Sequence, residues 1–287
     1  MLSYRHAFHA GNHADVLKHC VLLQLLRHLN LKDKPYWVVD THAGAGRYRL
    51  DSEQAKKNSE FAAGIGRIWQ ADGLPPALAD YIDIVRSFND DGRLRHYPGS
   101  PSLALQVMRA SDRLHLFELH GSDYQALGRT LAGEARRVSM HQADGFLGLK
   151  SVLPPPPRRG LVLIDPAYED KRDYMRVVAT VKEGLARFAT GTFAVWYPQL
   201  QRGDARQLPE RLRRLSDKWL DARLTVATPA ADGFGMHGSG MFVINPPWTL
   251  TESLAEVLPW LADHLGVDEG ASWLLESMPA AAAAARP

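Results

Sequence analysis

The chain has 287 residues, 45% of them hydrophobic and 23% charged, with a net charge of +2 at pH 7. This composition excludes a disordered or collagen-like chain and is ample for a buried core; the single cysteine, Cys20, excludes an internal disulfide. No run reaches the roughly 18 apolar residues of a membrane span, and Met1 to His6 lacks a signal peptide's apolar centre, so a cytoplasmic protein that meets no membrane is expected.

In chain order, Asn12 to Asn30 is the first predicted helix. Asn12 can cap it, Asp15 suits its positive end, and Val16, Leu17, Cys20, Val21 and Leu25 trace an apolar stripe. Tyr36 to Asp40 is the first strand, and Thr41 to Gly46 is a glycine-rich turn. The next strand, Leu114 to Glu118, comes too late for one crossover helix. Ser100 as N-cap and Pro101 at the first helical position predict an apolar helix through Met108. The interval before it holds helical patterns at Phe61 to Gln70 and Pro76 to Phe88. The expected organisation is a sheet domain from residues 1–47 and 98–279, an inserted helical subdomain at 48–97 that caps it, and a disordered tail at 280–287.

A helix at Ser122 to Leu131 and a strand at Arg137 to His141 follow, then the stiff connector Pro154 to Pro157. A strand ending at Asp165, a helix at Tyr174 to Phe188 and a strand at Thr192 to Trp196 continue the alternation. Strands Leu224 to Ala227 and Met241 to Asn245 and a helix Leu254 to Leu265 complete it. Such alternation predicts an α/β fold with a mostly parallel sheet and helices on both faces.

The run Leu161 to Ile164 is apolar and ends in Asp165-Pro166-Ala167-Tyr168, which reads as a strand buried on both faces with its acid at the carboxyl end. Ligands of open α/β sheets bind there. Pro166 has no N–H and a fixed φ, so the ladder stops and carbonyls turn outward. A carboxylate and a carbonyl accept the two hydrogens of a planar amine, with Tyr168 placed to stack on the attached ring. Asp40 with Gly44 and Gly46, then Glu118, Asp144 and Asp165 make an ordered set of strand ends, suited to a nucleoside-containing cofactor. The glycines admit close approach, Glu118 suits ribose hydroxyls, and Asp144 suits an adenine amine. Capping of helices or turns is the alternative for Glu118 and Asp144. Arg49 stands where a dinucleotide fingerprint has its third glycine. Asn245-Pro246-Pro247-Trp248 is a second candidate turn, but it lies too late in the strand order to succeed Asp144.

Six of the 12 histidines lie within the first 42 residues, yet no cysteine pair or His-Glu-x-x-His pattern accompanies them, so no metal is expected. Lys18, beside His19, suits a phosphate or a carboxylate. The pairs and triplets Arg47/Arg49, Lys56/Lys57, Arg158/Arg159 and Arg211/Arg213/Arg214 suit either phosphate contacts or a solvated face.

Asp165-Pro-Ala-Tyr168 resembles the Asp-Pro-Pro-Tyr signature of S-adenosylmethionine-dependent amino-methyltransferases that act on adenine N6, with Ala167 in place of the second Pro. Asp40 to Gly46 resembles the first motif of class I methyltransferases. Nearly the whole chain resembles the bacterial 23S ribosomal RNA adenine-N6 methyltransferase J family, most specifically at Phe8 to His19, Asp40 to Tyr48 and Tyr97 to Pro101. The resemblance implies a Rossmann-like sheet with a small helical insertion, S-adenosylmethionine as cofactor, and 23S ribosomal RNA as partner of a monomer. It implies cofactor contacts at His19, His42, Gly44, Ser100, Glu118, Asp144, Gly145 and Asp165. Catalysis falls to Asp165, Pro166 and Tyr168, and substrate contacts to Tyr4 and Lys18. The alternatives are methylation of DNA adenine or protein glutamine, a nicotinamide-dependent oxidoreductase, and a non-catalytic RNA-binding relative.

Overall fold

The computed structural model describes residues 6–53, 55 and 59–278; Tyr4, Lys56, Lys57 and the 280–287 tail lie outside them. Helix α1 (His13–Asn30) begins where the Asn12 carboxamide oxygen accepts from Ala14 N and Asp15 N, both at 3.0 Å. Thirteen of its 18 residues are buried, including Asp15 and Lys18. The expected stripe is therefore a helix enclosed almost all round, which is how a largely apolar helix behaves.

Eight strands form one sheet, in the order β10-β8-β9-β7-β6-β1-β4-β5. They are β1 (Trp37–Asp40), β4 (Arg113–Phe117), β5 (Val138–His141), β6 (Gly160–Ile164), β7 (Thr192–Gln199), β8 (Trp219–Thr225), β9 (Gly238–Ile244) and β10 (Ser272–Ser277). The pairs β5/β4, β4/β1, β1/β6 and β6/β7 are parallel; β7/β9, β9/β8 and β8/β10 are antiparallel. The chain leaves β1 toward β4 and β5, then returns to the other side of β1 with β6. Strand order thus reverses between β1 and β6, and a crevice opens outside their carboxyl ends.

Side chains alternate between two cores, as the pleat requires. Leu161, Leu163 and Ala194 face a core with α1, α5 (Ser100–Val107) and α10 (Trp248–Leu265). Val162, Ile164, Phe193 and Val195 face the other, with α7 (Gly145–Val152), α8 (Asp173–Arg187) and α9 (Gly203–Arg213). Helix α6 (Gly121–Thr130) follows β4.

Outside the insertion and its two flanking strands, three elements depart from the sequence expectations by being present at all: α7, α9 and β10. Two glycines weaken the helical signal of α7. A Cβ at Gly148 would come 2.2 Å from the Phe117 ring, so that glycine is what lets α7 lie close to the sheet. Pro209 and a dense charge pattern obscure α9, and β10 is an edge strand defined by its pairing with β8.

The segment at 48–97 is not purely helical. Helices α2 (Glu60–Ala63), α3 (Ile65–Ile68) and α4 (Pro76–Arg86) are present, but β2 (Arg47–Arg49) and β3 (His96–Pro98) pair antiparallel and clip its two ends together. This ladder is separate from the main sheet. Gly64 breaks the predicted Phe61–Gln70 helix. Ile65 N donates to Gly11 O at 2.8 Å, and a Cβ at Gly64 would lie 2.2 Å from that carbonyl oxygen. Ile65, Ile68, Leu78, Tyr81 and Val85 share one apolar core with Leu17, Leu22 and Leu25 of α1. The insertion is therefore packed as part of the main body. No helix among the described residues is long and apolar enough to cross a membrane.

Candidate active site

A cavity of about 700 Å³ opens at the carboxyl ends of β1, β4, β5 and β6. That size suits a nucleoside-sized ligand. Lys18, His19, His42, Gly44, Ser100, Glu118, Asp144, Gly145, Asp165 and Pro166 all line it, drawn from a span of about 150 residues by the sheet topology.

The glycine-rich turn after β1 needs left-handed backbone: Gly44 has φ +60° and Gly46 φ +76°. Glu118, at the end of β4, is held by two peptide N–H donors. Gly44 N donates to Oε2 at 2.8 Å, and His120 N to Oε1 at 2.6 Å. Burial pushes its carboxyl up despite these donors. Gly145 is required by a close approach, since a Cβ there would fall 1.9 Å from Thr41 O. Asp144 caps α7, its Oδ1 accepting from Phe146 N at 2.9 Å, while Oδ2 pairs with Arg176. The capping alternative thus holds for Asp144 alongside its place in the cavity wall.

Ser100 is not the cap of α5. Gly99 occupies that position, and Ser100 Oγ donates instead to Asp40 Oδ2 at 2.6 Å. The carboxylate at the end of β1 competes for the hydroxyl and wins, because it is buried and charge-assisted. His42 N donates to the other Asp40 oxygen at 3.0 Å. Burial outweighs both donors and raises Asp40 to about 6. Burial lowers His42 to about 4 and His19 to about 3, so both imidazoles are neutral at pH 7. His19 Nδ1 meets Tyr97 OH at 2.9 Å, and that hydroxyl meets Tyr81 OH at 2.8 Å, tying the cavity wall to the insertion.

Asp165 follows β6, as expected, but its partner was not foreseen. Lys18 Nζ donates to Asp165 Oδ2 at 2.6 Å and lies 2.8 Å from Asp15 Oδ1. His6 Nε2 in turn lies 2.9 Å from Asp15 Oδ2. Burial works against the Lys18 ammonium, but Asp15 and then Asp165 outweigh it and hold the pKa well above normal. Burial likewise opposes charge on Asp15, and His6 and then Lys18 more than compensate. Lys18 therefore lines the cavity while its buried ammonium is shared by the Asp15 and Asp165 carboxylates. The i, i+3 spacing of Asp15 and Lys18 was the available signal for half of this triad.

Tyr168 also differs from expectation. It has φ +54° and is 3% exposed. Its hydroxyl donates to Trp196 O at 2.7 Å, and its ring lies 4.7 Å from that of Tyr174. The ring is folded beneath the turn into the core and does not line the cavity, so its expected stacking on a target base is corrected for this conformation. Phe146 lines the cavity instead, edge-on to His42 at 4.8 Å. Asn245 lies at the opposite end of the strands: β9 runs against β7, pairing Ile244 with Phe193, and the Asn245 amide donates to Ala189 O and Gly191 O. It cannot share a cavity with Asp144. No cluster of metal-holding side chains is found among the described residues.

The model of a family described as ribosomal RNA large subunit methyltransferase D, RlmJ, matches residues 33–276. The chain is 51% identical over 266 residues to Ribosomal RNA large subunit methyltransferase J of Escherichia coli (strain K12), covering 92% of this chain and 94% of that protein. It is 46% identical over 278 residues to the protein of the same name from Haemophilus influenzae, covering 96% and 98%. A crystal structure of a Legionella pneumophila protein is similar with a TM-score of 0.87 at 36% identity, over 94% of this chain and 98% of that one.

Proposed function

The chain belongs to the ribosomal RNA large subunit methyltransferase J family, and from that membership and the geometry of the cavity we infer that it methylates N6 of a specific adenine in 23S ribosomal RNA, with S-adenosylmethionine as donor. The observation that carries the chemistry is the Asp165-Pro166 turn at the switch point of the sheet, with a cavity of about 700 Å³ beside it. The lining fits such a donor: a fixed Glu118 carboxylate, neutral imidazoles at His19 and His42, and the Phe146 ring. S-adenosylmethionine, when bound, supplies an electrophilic methyl group on a sulfonium.

The residues of the turn hold the acceptor. An adenine amine is a poor nucleophile because its lone pair is delocalised into the ring. Lys18 occupies Asp165 Oδ2, which leaves Oδ1 to accept one N6 hydrogen, and the Pro166 carbonyl accepts the other. Two fixed acceptors orient the amine toward the methyl group and favour a pyramidal nitrogen. With one oxygen held by Lys18, Asp165 acts by orientation, and the amine proton passes to solvent after methyl transfer. A base-paired adenine must leave its stack to reach the turn, at a cost of a few kcal/mol. Family membership favours ribosomal RNA over DNA adenine or protein glutamine, and an enzyme of that substrate works in the cytoplasm.

The test is transfer of labelled methyl to 23S ribosomal RNA from cells lacking the protein, with mapping of the modified base. Asp165→Ala should abolish transfer while cofactor affinity stays within about threefold; Asn245→Ala, at the other end of the strands, should leave transfer largely intact. Label on another atom, or the opposite ranking of the two variants, would refute the assignment.

A further inference from the structure

The arginine groups conspicuous in the sequence are mostly engaged within the protein. Arg49 pairs with Asp51, Arg213 with Glu210 and Asp221, and Arg159 donates to backbone carbonyls, among them Lys34 O at 2.6 Å. Around the cavity mouth Arg172 pairs with Asp170, and Arg176 with Asp144. A different set of cations has no ion pair among the described residues: exposed Lys171, just after the catalytic turn, and Arg202 and Arg206 at the start of α9. Arg202 is half-buried, and its Nη2, like His237 Nδ1, is buried without a hydrogen-bond partner among the described residues. Arg202 acts electrostatically on Tyr174, whose ring packs on Tyr168, and Arg206 acts on His237. Arg202 and Arg206 follow the carboxyl end of β7, the strand beside β6, and Lys171 follows the turn that ends β6.

The β8–β9 connection rises at the same edge. His237 N donates to Gln199 O, and the Gln201 amide donates to Ala230 O, which anchors the base of the loop to the end of β7. At its tip Phe234 is 78% exposed between Gly233 (φ +79°) and Gly235 (φ +88°), and a Cβ at either glycine would meet nothing within 4 Å. A phenyl ring held clear of the body, on a loop whose base is anchored to Gln199 and Gln201 just before Arg202, matches how single-stranded nucleic acid is bound: rings stack on bases while arginines follow the backbone. Trp196, beside Tyr168, and Gln199 are three strand residues apart, or about 10 Å, a few stacked nucleotides at about 3.4 Å each.

We propose that Phe234 on the β8–β9 loop, with Arg202, Arg206 and Lys171, forms a docking surface for the single-stranded ribosomal RNA that flanks the target adenine. It rests on the proposed function for its partner. Phe234 stacks on an unpaired base, and the three cations contact phosphates.

Equilibrium binding of 23S ribosomal RNA, alongside methyl-transfer kinetics, tests the surface in the full-length protein. Phe234→Ala should weaken RNA binding and raise KM by about five- to a hundredfold, and Phe234→Trp should restore both. S-adenosylhomocysteine binding should change by less than about twofold, because Phe234 does not line the cavity. Arg206→Ala should lower the slope of log affinity against log salt by roughly 0.7 to 0.9. RNA affinity and salt slope unchanged in both variants, or no RNA binding by the natural protein, overturns the proposal. A natural protein that transfers no methyl group, yet binds RNA in a Phe234-dependent way, would instead defeat the proposed function and leave this surface standing.

Discussion

At the scale of single residues, two buried charges control the site. Lys18 holds Asp165 from a helix 147 positions earlier, and it is 4% exposed. Removing one member of a buried ion pair leaves the others uncompensated, which costs about 3–5 kcal/mol. Lys18→Met should lower stability by that amount in urea unfolding. It should also cut kcat about a hundredfold, because a displaced Asp165 no longer aligns the amine; full turnover in this variant would contradict the positioning role. Asp40 works differently. Burial raises its carboxyl to about 6, so the folded protein holds this proton more tightly than the unfolded chain does. The resulting stability is complete below the unfolded value near 3.8 and is lost as pH rises through about 6. Asp40→Asn removes that dependence. Between pH 4 and 7 the natural protein should lose on the order of 3 kcal/mol relative to the variant, and parallel stability curves would rule this out.

At the scale of elements, the turn after β6 is short and its parts are separable. Ala167 is exposed, and its N–H makes no hydrogen bond among the described residues, so nothing there requires an N–H. Ala167→Pro should stabilise the protein by about 0.4–1 kcal/mol through the unfolded state and yield the same methylated base with unchanged RNA affinity. A different product, or transfer from the proline version alone, would show that the natural turn is not competent. The neighbouring Tyr168 shows the limit of motif reasoning. Its aromatic identity was legible, but a left-handed backbone and the Trp196 carbonyl direct the ring into the core. Helix α7 was hidden by its glycines, although those glycines exist to bring it against Thr41 and Phe117.

At the scale of the whole molecule, the insertion and the sheet share one apolar core, and β2 and β3 clip the insertion to the rim of the cavity, where Tyr48 of β2 joins the lining. The two parts should therefore unfold together. Fluorescence of a variant whose only tryptophan is Trp69, buried in the insertion, should follow the same urea transition as far-UV circular dichroism. Two separated midpoints would mean that the insertion is an independent unit.

The sequence by itself determined the alternation of strands and helices, the cap at Asn12, the glycine turn at Gly44 and Gly46, and the order of acids at successive strand ends. These depend on local periodicity and on backbone preferences of a few neighbouring residues, which the chain states directly. Tertiary structure decided what those residues touch: Lys18 on Asp165, Ser100 on Asp40, Arg176 on Asp144. It also supplied the physical separation of the two proline turns that strand order had anticipated: the antiparallel return of β9 carries Asn245 to the far end of the strands while the parallel β6 brings Asp165 to the cavity. Such pairings join residues distant in the chain, and which ones meet is set by sheet order and strand direction, quantities that no local window contains.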